Sequence, residues 1–226
     1  MSKKIVITGG LGYLGTELCK IYSGVSWNNE VLVIDNRFIS ERVNQLRNWG
    51  INFIQGDILD GELIKKHLSN SDIVHHLAGI TDVPRTTGES DEKKNNKINQ
   101  VALEGTKNII SAIPDTCKII FPSTHVVYEG IQSAKKNILE NETVSPILTY
   151  STGKVNNEEQ IKKSGKKYVI LRLGSVYGYS TDTTRLDIMP NLFSKIASQD
   201  GVIKLFSGGK QIKSLVPLLD VARCFK

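Results

Sequence analysis

The chain has 226 residues, a net charge of +6, 39% hydrophobic residues and 23% charged residues. These are the proportions of a globular protein, and they argue against a disordered chain, a collagen or a disulfide-stabilised miniprotein. No apolar run approaches the ~20 residues of a membrane-spanning helix. The apolar run after Lys4 is also too short for a secretory signal.

The three cysteines, Cys19, Cys117 and Cys224, lie far apart and form no C-x-x-C pair. This pattern suits a reducing cytoplasm and contains no metal-binding signature. The lysines are scattered, so the positive charge suits an anionic small molecule but does not indicate nucleic acid. We therefore expect a cytoplasmic protein with no metal site and with neither a nucleic-acid nor a membrane partner.

Short apolar segments rich in β-branched residues alternate with longer amphipathic segments along most of the chain. The predicted strands are 4–7, 31–34, 51–54, 73–77, 118–121 and 168–171, and the predicted helices are 13–22, 98–113 and 149–164. Strands that are apolar almost throughout and alternate with helices favour a parallel sheet covered on both faces. The polar segment 88–96 is predicted to be an exposed loop.

The alternation changes beyond Gly178. Segment 186–198 has the spacing of a helix, with Pro190 near its start. Segments 202–206 and 213–216 resemble short strands, and a further helix is predicted from Asp220.

The first predicted strand runs into a glycine-rich segment, residues 8–15. It satisfies both G-x-G-x-x-G, through Gly10, Gly12 and Gly15, and G-x-x-G-x-x-G, which begins at Gly9. Glycine permits a tight turn and close approach of the backbone to a pyrophosphate, and the following helix directs its N-terminal amides at that anion. The position between a strand and a helix favours a dinucleotide-binding turn.

The second predicted strand ends at Asp35. A carboxylate there can accept hydrogen bonds from the adenosine ribose hydroxyls and repel a 2′-phosphate, which favours NAD over NADP. Arg37, two residues later, could meet a 2′-phosphate and keeps NADP as the alternative.

Two further strand ends fit the same ligand. Asp57 follows the third strand and could face the adenine, while segment 77–79 follows the fourth and lets a cofactor cross the sheet edge. His75 and His76 point to opposite faces of the fourth strand, which predicts packed histidines rather than a metal pair.

Tyr150 and Lys154 are spaced i, i+4 and would share one face of a helix. An ammonium one turn away would favour the phenolate, which could then remove a proton from a substrate hydroxyl. Thr124, at the end of the fifth strand, could hydrogen-bond the reacting oxygen. These three residues are the candidate catalytic group.

In this order, the motifs resemble the extended short-chain dehydrogenase/reductase family, in its NAD-dependent epimerase/dehydratase branch. The resemblance extends from about Lys3 to the C-terminus. Its strongest motifs are 8–15, 33–36, 56–58, 76–79, 123–128 and 150–154, and its weaker ones are 99–108, 172–178 and 220–222.

The resemblance implies catalytic roles for Thr124, Tyr150 and Lys154, NAD as cofactor and nucleotide-diphosphate sugars as substrates. The expected cofactor-binding residues are Gly9, Gly12, Tyr13, Leu14, Gly15, Asp35, Asn36, Asp57, Ile58, Leu77, Ala78, Gly79, Asn99, Tyr150 and Lys154. The expected substrate-binding residues are Thr81, Val83, Thr124, Ser175, Asn191 and Lys213.

Three departures from the family pattern bear on the reaction. His125 and Val126 stand where sugar 4,6-dehydratases carry an acidic pair, which disfavours dehydration. Ser175 replaces a frequent asparagine, and Lys213 replaces an arginine that often binds the diphosphate, keeping its charge without the bidentate fork. Family members generally continue well beyond 220–222, so we expect a reduced or partial substrate lobe.

We expect a doubly wound, parallel-sheet Rossmann domain over residues 1–174 and a small, partial substrate-binding domain over residues 175–226. The leading hypothesis is an NAD-dependent nucleotide-sugar epimerase that acts through a transient keto-sugar. A sugar-nucleotide dehydrogenase or reductase and a non-catalytic NAD-binding module are the alternatives. The family also suggests a homodimer formed through helices 98–113 and 149–164.

Overall fold

The computed structural model describes residues 2–24, 29–81, 91–133, 135–180, 185–186 and 188–226. The first half of the fold alternates strands and helices. Its elements are β1 (Lys4–Thr8), α1 (Tyr13–Ser23), β2 (Glu30–Asp35), α2 (Ser40–Asn48), β3 (Asn52–Gln55), α3 (Gly61–Leu68), β4 (Ile73–His76) and α4 (Glu92–Gln100). Strand and helix alternate as the apolar pattern predicts.

A π-helical turn, Val101–Gly105, joins α4 to α5 (Thr106–Ala112). There follow β5 (Lys118–Thr124), a 3₁₀ turn (His125–Tyr128), α6 (Thr149–Lys163), β6 (Lys167–Leu173), β7 (Ser175–Tyr177), α7 (Met189–Ala197), a 3₁₀ turn (Phe206–Gly209), β8 (Leu215–Pro217) and α8 (Leu218–Phe225). Within the described ranges, no helix has the length and hydropathy that a membrane span requires.

Strands β1 to β6 form one parallel sheet in the order β3-β2-β1-β4-β5-β6. The doubly wound α/β fold is therefore confirmed. The strand order reverses between β1 and β4, and a sheet of this kind binds its ligands in the crevice at that point. The glycine-rich turn after β1 and segment 77–79 after β4 border this crevice.

The core lies on both faces of the sheet. Ile5 and Ile7 pack into one apolar cluster with α1 and α2, whereas Val6 packs into the other with α3 and α5. This alternation is what a strand buried on both sides requires. Helix α8 packs against α1 and contributes Val221 and Phe225 to the first cluster.

The polar helix α4 corrects two predictions. Residues 92–96, predicted as loop, belong to α4, which begins after Asp91, whose side chain accepts a hydrogen bond from Lys93 N. The predicted helix 98–113 therefore starts earlier, and the π-helical turn interrupts it. The helix was missed because only Ile98 is buried in it, so its sequence lacks an apolar stripe. Residues 82–90 lie outside the described residues.

The predictions for the C-terminal segment hold in part. Helix α7 begins at Met189, with Pro190 in its first turn, and β8 overlaps the predicted strand 213–216 and pairs with β7. The predicted strand 202–206 is wrong, because residues 201–205 form no regular structure and Val202 is 81% exposed. The boundary between domains at residue 174 stays a prediction.

His75 and His76 are buried packed residues, as the strand alternation predicts. His75 Nε2 lies 2.8 Å from the Tyr22 hydroxyl. His76 Nδ1 lies 3.2 Å from Thr8 Oγ1, and its Nε2 lies 3.0 Å from Thr106 Oγ1. Burial lowers the pKa of each histidine to about 3, so both are neutral in the folded protein near neutral pH.

We expect mild acid to destabilise the fold through these histidines. The unfolded chain binds protons at a histidine pKa of about 6.5, whereas the folded chain does not until about pH 3. The unfolding free energy should therefore fall as pH decreases below about 6.5, by up to ~1.4 kcal/mol per pH unit for each histidine. Urea titrations between about pH 7 and pH 5 measure this slope.

A His75→Phe variant should retain about half of the pH dependence, because one of the two buried imidazoles is gone. An unfolding free energy that stays constant over the same pH range in the unmodified chain would show that the histidines take up no proton on unfolding.

Candidate active site

The glycine turn after β1 is too crowded for side chains. Gly9 has a φ of 72°, and a Cβ on it would lie 2.7 Å from Ala78 N. A Cβ on Gly15 would lie 2.5 Å from Gly9 O. Helix α1 then begins at Tyr13 with Gly12, which has no side chain, as its N-cap. No side chain caps its first N–H groups, which could therefore bind an anion, and the turn fits the pyrophosphate of a dinucleotide.

Asp35 is buried at the end of β2, beside this turn. Its Oδ2 accepts a hydrogen bond from Leu11 N at 3.0 Å, and its Oδ1 accepts one from Arg37 N at 3.0 Å. The Arg37 side chain also pairs with Asp35, with Nε 3.3 Å from Oδ1. The carboxylate is thus held where a ribose could reach it, and Arg37 lies next to the same position.

The remaining predicted cofactor residues line the sheet edge in different ways. Asn36 Nδ2 donates to Asp57 Oδ2 at 3.2 Å, which joins the ends of β2 and β3. Ala78 N donates to Thr8 Oγ1 at 3.3 Å, and open space surrounds Gly79. Leu14 packs against the first apolar cluster and Ile58 lies in the second, so both side chains belong to the core next to this edge of the sheet.

The predicted catalytic residues meet at the end of β5 and the start of α6. Thr124 is the last residue of β5, and Tyr150 is the second residue of α6. Thr124 lies near enough to the Tyr150 side chain to lower the pKa of its phenol as a hydrogen-bonding group. Lys154 follows one helical turn later, with Nζ 5.8 Å from the centre of the Tyr150 ring. The structure thus brings Thr124, Tyr150 and Lys154 together.

Lys154 is held in an apolar setting. Its Nζ donates to Pro122 O at 2.7 Å and lies 4.5 Å from the centre of the Phe121 ring. Burial lowers the pKa of Lys154 to about 8, and the charge of Glu158 opposes this shift.

Burial raises the pKa of Tyr150, while the charge of Arg185 and the hydrogen bond from Thr124 lower it. We expected Lys154 to favour the phenolate, but the cation that lowers the pKa of Tyr150 in this structure is Arg185. Arg185 was not among the predicted site residues. The only available signal was a basic residue ahead of α7, and the chain alone does not show that this segment folds back toward Tyr150.

A cleft beside the trio connects it to the cofactor crevice. It is lined by Ala78, Gly79, Ile80, Ile98, Ala102, Tyr150, Gly153, Lys154 and Asn157. Asn99, predicted to help hold the cofactor, is half-buried in α4 and is not among these lining residues. Its neighbours Ile98 and Ala102 line the cleft, because the helix continues from α4 into the π-helical turn at this point.

The predicted substrate residues are divided between several places. Thr81 is exposed after β4, and Val83 lies outside the described residues. Ser175 begins β7, and its amide donates to the carbonyl oxygen of Ser214, which follows the exposed Lys213. These two predicted residues therefore lie on adjoining segments.

Asn191 lies at the start of α7 and is fully engaged within the protein. Its Oδ1 accepts a hydrogen bond from Gly178 N at 2.9 Å, and its Nδ2 donates to Arg185 O at 2.7 Å. Its Nδ2 also lies 3.3 Å from the Tyr13 hydroxyl, which in turn donates to Gly178 O. Asn191 thus connects the glycine turn to the C-terminal segment and borders a second cleft with Tyr177.

Comparison with known proteins identifies the family of the chain. The model of the NAD-dependent epimerase/dehydratase family matches residues 5–226. The chain is 27% identical to a UDP-N-acetyl-alpha-D-glucosaminuronate decarboxylase of Bacillus cytotoxicus, over 97% of this chain and 69% of that enzyme. It is also 27% identical to a dTDP-D-glucose 4,6-dehydratase of Dictyostelium discoideum, over 78% of this chain and 44% of the relative.

Among solved structures, a UDP-glucuronic acid 4-epimerase of Bacillus cereus, in complex with NAD and a fluorinated UDP-sugar, superposes with a TM-score of 0.82. The two chains are 25% identical, and the match covers 97% of this chain and 71% of the epimerase. The chain thus spans less than half of the Dictyostelium dehydratase and about seven tenths of the other two proteins. On the evidence of the family match, the NAD-containing relative and the glycine turn, the chain belongs to the NAD-dependent epimerase/dehydratase family.

Proposed function

We propose that the chain acts as a nucleotide-sugar epimerase that forms a transient keto-sugar. The observation that carries the proposal is that Thr124, at the end of β5, acts on Tyr150 at the start of α6, with Lys154 one turn away and the glycine turn at the same sheet edge. A binding module would need the turn and Asp35, but it would not need these three side chains together.

In this proposal Tyr150 reacts as the phenolate and takes the proton of a sugar hydroxyl at its phenolic oxygen, becoming a neutral phenol. Thr124 donates a hydrogen bond to the same sugar oxygen and holds it as the carbonyl forms. NAD, held at the glycine turn and Asp35, would supply the hydride acceptor and donor for the sugar carbon. Return of the hydride to the opposite face, with the proton going back from Tyr150, inverts the carbon and restores every group.

His125 supports epimerisation over dehydration. It stands directly after Thr124, and its Nδ1 lies 3.0 Å from Leu173 O, so the ring is held by the backbone of β6. Elimination of water needs an acid and a base beside the sugar, and the dehydratase pattern places an acidic pair at this position. Because a 4,6-dehydratase is among the relatives, a keto-sugar is the second product to test for.

The proposal is tested by proton NMR of UDP-, dTDP-, GDP- and CDP-sugars incubated with the protein and NAD. A new anomeric signal of an isomer supports the epimerase and names the substrate. A deoxy-keto-sugar would instead identify a dehydratase, and stoichiometric NADH would identify a dehydrogenase. Tight NAD binding with no turnover of any sugar would favour the binding module.

Asp35 should determine the preference for NAD over NADP. In Asp35→Asn the repulsion of a 2′-phosphate disappears, and Arg37 is released from its ion pair to meet the phosphate. We expect the ratio of NADP to NAD dissociation constants to fall by about tenfold or more, as a charged hydrogen bond of about 1.5–3 kcal/mol is replaced. Calorimetric titration with both nucleotides measures the ratio.

Asp60→Asn is the matched control, since Asp60 caps α3 through Leu63 N and lies away from the glycine turn. An unchanged ratio in Asp35→Asn would mean that the ribose is recognised elsewhere.

The substrate lobe, the homodimer and the cytoplasmic location stay predictions. The three cysteines are free in the structure, with Cys19 and Cys117 buried and Cys224 exposed. We propose that the nucleotide of the substrate binds in the lobe around α7, at the second cleft.

A further inference from the structure

One carboxylate behind the catalytic trio has no role in the chemistry proposed above. Glu158 is buried on α6, with 2% of its surface exposed. Its Oε1 accepts hydrogen bonds from Ser123 Oγ at 2.5 Å and Arg172 Nε at 2.9 Å. Its Oε2 accepts from Arg172 Nη2 at 2.7 Å and Lys162 Nζ at 3.1 Å. Burial alone would raise the pKa of Glu158, but these hydrogen bonds stabilise the charged carboxylate and lower its pKa to about 2.

The position of Glu158 connects every element that carries the trio. Tyr150, Lys154 and Glu158 are spaced i, i+4, i+8 on α6 and share one face of the helix. Ser123 directly precedes Thr124 on β5, and Ser123 is the register partner of Arg172 on β6. A single side chain therefore joins α6 to the ends of both strands.

Glu158 is also the charged group that opposes the desolvation of Lys154. The other titratable groups near this lysine are His76 on β4, which is neutral near pH 7, and Tyr150 on the same helix. Arg172 on β6 is neutralised by Glu158, and Arg185 acts on Tyr150 from the C-terminal segment. Without Glu158, the half-buried Arg172 guanidinium would lose its main partner, and Lys154 would lose the charge that opposes its desolvation.

We propose that Glu158 is a positioning residue that keeps Lys154 protonated at working pH and holds Thr124 against Tyr150. The role in turnover rests on the proposed function, whereas the effect on Lys154 does not. If Lys154 must be charged for turnover, activity is lost as pH rises through the pKa of Lys154, and removal of Glu158 shifts that loss to lower pH.

Chemical labelling tests the effect without any substrate. Lysines react with acetic anhydride only when unprotonated, so the pH midpoint of labelling at the Lys154 peptide, read by mass spectrometry, reports its protonation. In Glu158→Gln we expect this midpoint to fall by at least about one pH unit. Glu159→Gln is the matched control, because Glu159 is the adjacent residue on α6 but is exposed and pairs with Lys163. In Glu159→Gln the pH midpoint of labelling at Lys154 should stay unchanged.

A second variant guards against a folding defect. Glu158→Gln leaves the Arg172 guanidinium without its main partner, which can destabilise the chain strongly. The double variant Glu158→Gln/Arg172→Met removes both charges, and replacement of a whole buried pair is often tolerated. We expect the Lys154 midpoint to fall in the double variant as well, because Glu158 is the charged group that opposes the desolvation of Lys154.

A Lys154 midpoint equal to that of the unmodified chain, in either variant shown to be folded by circular dichroism, overturns the proposal. Absence of turnover in the NMR panel leaves this labelling result unaffected, so failure of the proposed function and failure of this inference can be told apart. Once a substrate is known, the pH profile of kcat adds the second readout. Its basic limb should move to lower pH in Glu158→Gln, whereas a purely structural role would lower kcat at every pH alike.

Discussion

Replacing Tyr150 by Phe should lower kcat by about three orders of magnitude, whereas NAD binding should weaken by only a few-fold because the other expected cofactor contacts remain. The change removes only the phenolic oxygen, which is the group on which Thr124 acts and which would carry the sugar proton. The ring remains in its place beside Lys154, so neither the helix nor the cleft needs to rearrange. The initial rate with the substrate found by NMR measures the first effect, and calorimetric titration with NAD measures the second.

Tyr168→Phe is the control, since Tyr168 lies on the edge strand β6 and is 44% exposed. Its kcat should match that of the unmodified chain. A Tyr150→Phe variant that turns over within a few-fold of the unmodified rate would assign the proton transfer to a different group.

Replacing Gly15 by Ala should abolish tight NAD binding. The added Cβ would lie 2.5 Å from Gly9 O and 2.6 Å from Gly10 Cα, and both of these atoms belong to the backbone of the turn. The turn must therefore open, which moves the amides that face the pyrophosphate. We expect at least a tenfold loss of NAD affinity and about 1–3 kcal/mol of lost unfolding free energy.

Gly24→Ala provides the comparison at the other end of α1, where the nearest atom to a new Cβ is Lys20 O at an ordinary 3.7 Å. It should bind NAD as the unmodified chain does. Equal NAD affinity in Gly15→Ala and Gly24→Ala would show that the dinucleotide does not lie on this turn.

The sheet was predictable because its strands are buried on both faces. A short apolar run such as Ile5-Val6-Ile7 predicts a strand of a parallel sheet that is covered by helices on both faces. The motifs that follow such strands must then lie at the same edge of the sheet. The meeting of Thr124 and Tyr150 follows from this rule, since β5 ends where α6 begins in space.

The parts that were not predictable depend on contacts without a periodic signal. Helix α4 is polar and is stabilised at its start by Asp91, so its apolar pattern is too weak to reveal it. Segment 202–206 has strand-like residues but finds no partner strand, and β-propensity alone does not create one.

The roles of Asn191 and Arg185 could not be found from the chain for a similar reason. Asn191 uses its amide to join Gly178 and Arg185, which are distant from Tyr13 in sequence but not in space. That arrangement depends on how the C-terminal segment folds back on α1, and no spacing rule encodes it. Glu158 was also missed, because a carboxylate on a helix is normally exposed and only the fold shows its burial against Ser123 and Arg172.

The central claim is that the hydride returns to the sugar from which it came. It is tested most directly by incubating the protein with a large excess of its sugar nucleotide over NAD and measuring both the isomer and NADH. The account predicts many molecules of isomer for each molecule of NAD, with no accumulation of NADH. Formation of oxidised sugar in amounts equal to the NADH produced, with no isomer, would contradict it.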